Sequence, residues 1–406
     1  MQKFPALIAN YMKNFKCTGS ACEDTCCSGG WTIPVDKVSY ERYQKDDEIK
    51  RNVVRDTAKV TGQYAYMKLS EDKLSCSMLS EDKLCTIQAR LGEGALCKTC
   101  YIYPRNYNYV NKNLEISATL SCPEIARLAL LQKDGIDFDY FEEYPLLREV
   151  QVQNSVETYS HDNELKYLWD LRSFSIGLLQ NRAYSLKERL ILLGMFFESV
   201  NKEIEAQNYA AIGQFIDRYT ELLDHGLLKN EIDSIKPNIA AQIQVLTQLT
   251  EIGVKYITPG NDRYRECVIE FIDGLVHPDH AGDKSILDTY EDAYNHYYVP
   301  FMKQHEYILE NYLVDLVFKN VFPITDGKSS IFDEYVKLIC HYAIIKFLLI
   351  GISAHDKGLQ IDKVIKVIQS FSKSIGHNKS HVSSIIAKIK EEKNNNLYYM
   401  TCLVNH

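Results

Sequence analysis

Leu165-Lys-Tyr-Leu168-Trp-Asp-Leu171-Arg-Ser-Phe-Ser-Ile176-Gly-Leu-Leu179, followed by Leu186-Lys-Glu-Arg-Leu190-Ile-Leu-Leu193-Gly-Met-Phe-Phe197, places apolar residues mostly three or four positions apart. That spacing returns side chains to one face of a helix, so both segments predict amphipathic helices. Toward the C-terminus the pattern continues, with Pro237, Pro259, Pro278, Pro300 and Pro323 falling mainly between periodic segments. Strand signals are sparse, and no G-x-G-x-x-G turn follows an apolar strand, which argues against a doubly wound sheet. No P-loop, H-E-x-x-H or G-x-S-x-G motif occurs either, leaving kinase, metalloprotease and common hydrolase chemistry unsupported. The prediction is a mainly α protein in which a loop-rich, cysteine-bearing N-terminal region, residues 1–135, packs on a helical domain, 136–406, of one or two subdomains.

The whole chain has 406 residues, 46% of them hydrophobic, and a formal charge of −8. An acidic chain lacks the polycationic footprint of a nucleic-acid or membrane-surface binder, and a lysine-bearing partner suits it better. Met1–Lys16 is interrupted by Pro5, Asn10 and Asn14 and has no continuous apolar core for secretion, so a cytoplasmic location is expected. The apolar run Leu338–Ile352 contains His341 and Lys346 and is shorter than a bilayer span, so it reads as a core helix.

Nine of the twelve cysteines lie in the first 122 residues: Cys17, Cys22, Cys26, Cys27, Cys76, Cys85, Cys97, Cys100 and Cys122. In a large chain without an export signal such clustering points to metal rather than to a disulfide framework. Cys97-Lys-Thr-Cys100 has the two-residue gap that lets two thiolates face one centre, as in zinc knuckles and iron–sulfur loops. The adjacent pair Cys26-Cys27 favours iron–sulfur, because neighbouring thiolates fit one zinc poorly but can serve different irons. Nine thiols exceed the four one centre needs, so a second centre or structural thiols are expected, and zinc stays as the alternative metal. Cys267, Cys340 and Cys402, scattered singly, read as buried small hydrophobes.

Local signals refine this region. Ser121-Cys122-Pro123-Glu124 resembles a capped helix start, which would place the Cys122 thiol at the positive end of a helix dipole and lower its pKa. Val35–Tyr66 reads as helical. Leu69–Leu74 and Leu79–Leu84 are identical copies of Leu-Ser-Glu-Asp-Lys-Leu that read as turns bringing Cys76 and Cys85 together. Tyr107–Val110 and Leu114–Ala118 form a short hairpin across Asn111-Lys112-Asn113.

The block Phe15-Lys-Cys17-Thr-Gly-Ser-Ala-Cys22-Glu-Asp-Thr-Cys26-Cys27 with Gly30-Trp31-Thr-Ile33 resembles the opening of the flagellin lysine N-methylase family. Leu84-Cys85-Thr-Ile87-Gln88, Leu91-Gly92-Glu93, Cys100-Tyr-Ile-Tyr103-Pro104-Arg105 and Ser121-Cys122-Pro123-Glu124-Ile-Ala126-Arg127 are similar to it as well. So are Leu168-Trp169-Asp-Leu171-Arg172, Leu179-Gln180-Asn181-Arg182 and Glu310-Asn311-Tyr312-Leu313 in the helical part. The resemblance implies methyl transfer from S-adenosylmethionine to lysine amines of flagellin by a protein carrying a [4Fe-4S] cluster. A metal-binding scaffold without catalysis, or a redox protein, is the alternative.

Radical S-adenosylmethionine enzymes typically show C-x3-C-x2-C. Cys22-x3-Cys26 begins that way, but position 29 is Gly29 and the next cysteine is Cys27. A polar displacement is therefore the simpler mechanism: a neutral lysine amine attacks the sulfonium methyl in line, which demands burial and a proton acceptor. Tyr101, Tyr103 and Arg105 are the candidate catalytic contacts because they follow the Cys97/Cys100 pair directly. Glu310 and Tyr312 are candidates through the resemblance alone, and His377 is a candidate base.

Overall fold

The computed structural model describes all residues except 1, 147, 230–231, 233–237, 255–259, 277–284, 326, 328, 377–378, 393 and 406. His377 therefore lies outside the described residues. The chain is mainly helical, as its periodicity predicts, but the N-terminal third carries more regular structure than expected. Strands β1 (Gln2–Ala9), β2 (Pro34–Val35), β3 (Val53–Arg55), β4 (Ala65–Met67), β5 (Arg105–Val110), β6 (Asn113–Ala118), β7 (Phe138–Leu146) and β8 (Ser155–Val156) form two sheets.

The larger sheet has the order β7-β1-β6-β5-β8. Its seed is the hairpin β5–β6, closed by Asn111 and Lys112, both at positive φ of 49° and 64°. Two left-handed residues match the twist of the flanking strands. β1 joins β6 in parallel, with Ile8 opposite Ile116, and β7 runs antiparallel to β1, with Ala9 opposite Phe138. Pro5 sits where that register slips between Phe4 and Ala6, a site where a missing N–H costs no ladder bond. Strands from both sides of residue 135 thus share one sheet.

The smaller sheet, β2-β4-β3, corrects the reading of Val35–Tyr66 as helical throughout. Helices α1 (Lys37–Tyr43) and α2 (Asp47–Asn52) do form there, capped by Asp36 and Asp46. Val53-Val54 and Ala65-Tyr66-Met67 then alternate inward and outward side chains, which suits a half-buried pleat better than a helix.

Short helices α3 (Thr86–Leu91), α4 (Lys98–Ile102) and α5 (Pro123–Leu130) follow cysteines, and α6 (Leu168–Leu179) and α7 (Leu186–Glu205) open the helical body. The longest helix, Ile331–Asp356, has 26 residues and is long and apolar enough to cross a membrane, but 89% of its most apolar stretch is buried inside the protein. Burial, rather than the shortness inferred from Leu338–Ile352, makes it the core helix.

Buried polar pairs join sheet to body. Arg172 on α6 makes a two-pronged ion pair with Glu115 in the middle of β6, its Nη1 lying 2.8 Å from Oε2, and both side chains are almost fully enclosed. Tyr11 donates to Asp315 at 2.6 Å, and Asn106 and Asn108 both donate to the Lys319 carbonyl. The segment after α5 is gripped by Gln180 on Ile136 O, Arg182 on Lys133 O, and Asn311 on Leu130 O and Gln132 O.

Candidate metal centre

Six cysteines converge on one small hydrophobic core built around Ile33, Val35, Tyr43 and Met67: Cys76 and Cys97 are inside it, and Cys27, Cys85 and Cys100 pack against it. Cys26 joins them through its neighbour Cys27. The repeated Leu-Ser-Glu-Asp-Lys-Leu segments explain how two of these thiols arrive. Each copy closes one turn with a left-handed lysine, Lys73 at φ 59° and Lys83 at φ 58°. Ser70 N donates to Ser75 O in the first and Ser80 N to Leu84 O in the second, leaving Cys76 and Cys85 just past their turns. The N–H of Cys76 then reaches the Cys27 carbonyl at 2.7 Å.

The thiols influence one another strongly. Cys27 donates to Cys26, which holds Cys26 down near 7 and pushes Cys27 up. Cys100 donates to Cys97 with the same pair of opposite effects. Burial raises Cys76 to about 11 and raises Cys85, and each of these is further raised by the charge of Cys97 and Cys26. Cys27 feels Cys76 and Cys85, and Cys100 feels Cys26 and Cys27, so all six lie within electrostatic reach of a common centre.

The other three N-terminal cysteines sit differently. Cys22 and Cys122 flank Cys26 from the far side, each raised mainly by burial and further by that thiol. Cys17 is exposed. Cys122 itself, rather than Ser121, is the N-cap of α5, with Pro123 in the first turn. The expected fall in its pKa is reversed: burial lifts it to about 12, outweighing the N–H groups of Ile125 and Glu124. Cys267, Cys340 and Cys402 are buried in the helical body, away from the centre, as their scattered positions predict.

Among the described residues, no three His, Cys, Asp or Glu side chains already stand in metal-ligand geometry. The thiols instead satisfy one another as the hydrogen-bonded pairs Cys26–Cys27 and Cys97–Cys100. As a donor set they still fit a soft metal: six sulfurs, little competing oxygen, and an apolar surround that makes unbound thiolates costly. Binding a metal there must release protons.

Of the candidate catalytic residues, Tyr101 packs against the cysteine core, and Tyr103 lies near Cys122 and Cys26. Its hydroxyl is 3.2 Å from Ser121 Oγ, and burial followed by the charge of Cys122 keeps it protonated far above the ordinary phenol range. It therefore stays protonated and does not act as a base, and in the contact with Ser121 either hydroxyl can donate. Tyr101 lies under the Arg148 guanidinium, 4.5 Å from ring centre to Cζ, and its carbonyl accepts from Arg105. Arg105 reaches Glu93 at 3.9 Å. Glu310 and Tyr312 are in the interior of the helical body: Glu310 pairs with Arg182 and Arg189, and Tyr312 contacts His341 at 3.3 Å.

Sequence reading missed Asp24, which anchors the cysteine loop to the body. Its carboxylate pairs with Lys373 and accepts from Gln369 at 2.8 Å, and the same Gln369 amide reaches the Ser121 carbonyl at 2.7 Å. Gly260 and Gly29 pack backbone to backbone beside it, and a Cβ on Gly260 would lie 2.5 Å from the Gly29 Cα. Only the position of Asp24 between Cys22 and Cys26 hinted at such a role.

Fold and site together define a thiol-rich centre carried by a sheet and pinned to a helical body. The model of the FliB lysine N-methylase C-terminal domain matches residues 172–403, and the chain belongs to that family, the protein-lysine methyltransferases called lysine N-methylases. It is 26% identical over 392 residues to a Lysine-N-methylase of Salmonella choleraesuis (strain SC-B67), covering 93% of this chain and 92% of that one. A Lysine-N-methylase of Salmonella typhimurium (strain LT2) is 25% identical with the same coverage. The flagellar biosynthetic protein FliU of Salmonella muenchen is 34% identical over 132 residues, covering 31% of this chain and 77% of that relative. No solved structure matches the chain.

Proposed function

We propose that this lysine N-methylase transfers methyl groups from S-adenosylmethionine to surface lysines of flagellin, in the cytoplasm, and that its N-terminal cysteines hold a [4Fe-4S] cluster. The observation that carries the metal reading is the convergence of Cys27, Cys76, Cys85, Cys97 and Cys100 on one apolar core, with the more exposed Cys26 within electrostatic reach of them. Four of these six would be the ligands. The flagellar substrate rests on the names of the relatives, one a flagellar biosynthetic protein. We take residues 1–135 as the cysteine-bearing part and 136–406 as the helical part of the working enzyme.

When bound, such a cluster supplies positively charged irons able to orient a polar ligand or pass an electron. The chain's own residues do the rest. Tyr103, held protonated near Cys122 and Cys26 and in contact with Ser121, would orient a polar atom of donor or substrate through that hydroxyl pair. Arg148 covers the Tyr101 ring and Arg105 holds its carbonyl where Tyr101 packs against the cysteine core. The lysine must arrive as the free amine, so its ammonium proton has to be shed before the nitrogen lone pair takes the methyl.

Anaerobic purification with iron, zinc and acid-labile sulfide analysis tests the metal, and labelled S-adenosylmethionine with unmodified flagellin tests the reaction. About four irons with matching sulfide, and methyl-lysine in flagellin by mass spectrometry, are expected. Zinc without sulfide overturns the cluster. Intact metal with no methyl transfer overturns the substrate.

A further inference from the structure

We propose that the free edge of β7 binds the protein substrate, as an added strand carrying the target lysine; the inference rests on the lysine N-methylase reading above. β7 closes one side of the five-stranded sheet, and among the described residues it pairs only through its β1 side. Every second residue of an antiparallel edge strand turns its N–H and C=O outward, and that row of groups is a template for another extended chain. At nine residues β7 is long for an edge. Opposite Pro5 it spends two residues, Glu142 and Glu143, so the edge bulges there and is straight over 138–141.

Its side chains state the partner's chemistry. Tyr140 is 60% exposed, and Phe141, 39% exposed, turns to the opposite face of the strand and lies edge-on to Tyr144. The stretch 134–146 holds Asp134, Asp137, Asp139, Glu142 and Glu143 and not one Lys or Arg. Asp139 and Glu143 are matched by Lys13 and Lys3. Glu142 enters none of the ion pairs found among the described residues. Aromatic rings beside unmatched carboxylates recognise ammonium groups through both charge and the ring face. A second copy of the chain is the wrong occupant, because β7 against β7 would oppose carboxylates to carboxylates.

The direction of the sheet supplies the last step. Ala9, Ala118, Arg105 and Phe138 all lie at the same end, as the pairings Ala9 with Phe138 and Arg105 with Ala118 require. Beyond that end the chain leads from β1 to Cys17 and Cys22, from β6 to Cys122, and back from β5 to Cys100. A strand laid along β7 therefore runs toward the cysteine-bearing loops, and a lysine leaving it at the Phe138 end points to them. The bulge at Glu142 and Glu143 leaves 138–141 as the straight part of the edge, and Pro145 beyond it lacks an N–H.

The test uses the full-length protein, its Tyr140→Ala and Glu142→Lys variants, and a labelled peptide of about ten residues alternating Lys with Val or Thr, long enough to span the strand. Both residues are exposed, so the variants fold. Expected results are peptide binding to the wild type, roughly tenfold weaker binding to each variant, and no binding of the same peptide with Glu replacing Lys. Amide exchange should slow across 138–144 when the Lys peptide is bound. With flagellin as substrate the variants should raise KM by a similar factor and leave kcat unchanged. Equal binding to all three proteins, protection elsewhere, or a wild-type dimer abolished by Glu142→Lys would overturn the proposal. Absence of methyl transfer to flagellin, with the peptide results intact, would remove flagellin as the substrate and leave the edge site supported.

Discussion

Replacing Arg172 by Met isolates the bond that fastens the central strand to the helical body. Glu115 is fully enclosed and Arg172 nearly so, and their charges meet through two parallel contacts. At an effective dielectric of about 20, charge centres about 4 Å apart attract by about 4 kcal/mol, much of it offset by the cost of having buried both ions. Removing only the cation leaves that burial cost without its compensation, so Arg172→Met should lose about 3–5 kcal/mol. Glu115→Gln together with Arg172→Met removes both charges and should recover most of the loss. The assay is urea unfolding of the four proteins in one double-mutant cycle, followed by far-ultraviolet circular dichroism. A single-variant loss below about 1 kcal/mol, or a double variant no better than the single, would refute the view that this pair is an interdependent buried weld.

Gly260→Ala should displace the Cys26–Gly30 loop, because its Cβ would collide with Gly29 and its φ of 89° strains any side chain; metal content and proteolytic resistance should fall together, whereas Gly177→Ala, on a helix with open space around it and no positive φ, should leave both intact. Cys100→Ser and Cys76→Ser should each lower bound metal measured by elemental analysis, while Cys340→Ser should not. Burial depresses Lys346 to about 7, so folding expels its proton between that value and the ordinary lysine pKa. The unfolded chain then binds more protons, and wild-type stability should rise with pH across about 7 to 10. Lys346→Met should accordingly be relatively most stable near pH 7 and lose that advantage toward pH 10, as read from thermal unfolding across pH.

Much of this architecture is legible in the sequence where a local cause decides it. The hairpin at Asn111-Lys112 follows from two residues that tolerate positive φ, and α6 and α7 follow from their apolar spacing. β1 and β7 are not legible. Lys3-Phe4-Pro5-Ala6 looks broken until the register slip absorbs Pro5, and its partner strand begins more than a hundred residues later. Acidic β7 has none of the alternation that marks a strand with one buried face. The thiol clustering was readable from spacing, but which six converge depends on the small sheet that carries them. Glu310 and Arg182 stood out for their place in a motif, and the structure gives them to the clasp that holds the segment after α5.

Synthesis and assembly of this enzyme run in opposite orders. The cysteines between Cys17 and Cys122 leave the ribosome first, yet the groups that seat their loops come later, Arg172 for β6, then Asp315 for Tyr11, and near the end Gln369 and Lys373 for Asp24. The small core around Cys76 and Cys97 is built from residues 27–101 alone, whereas the loop between Cys22 and Cys26 stays unanchored until Gln369 and Lys373 arrive, which leaves those two thiols open to stray metal and to oxidation for most of translation.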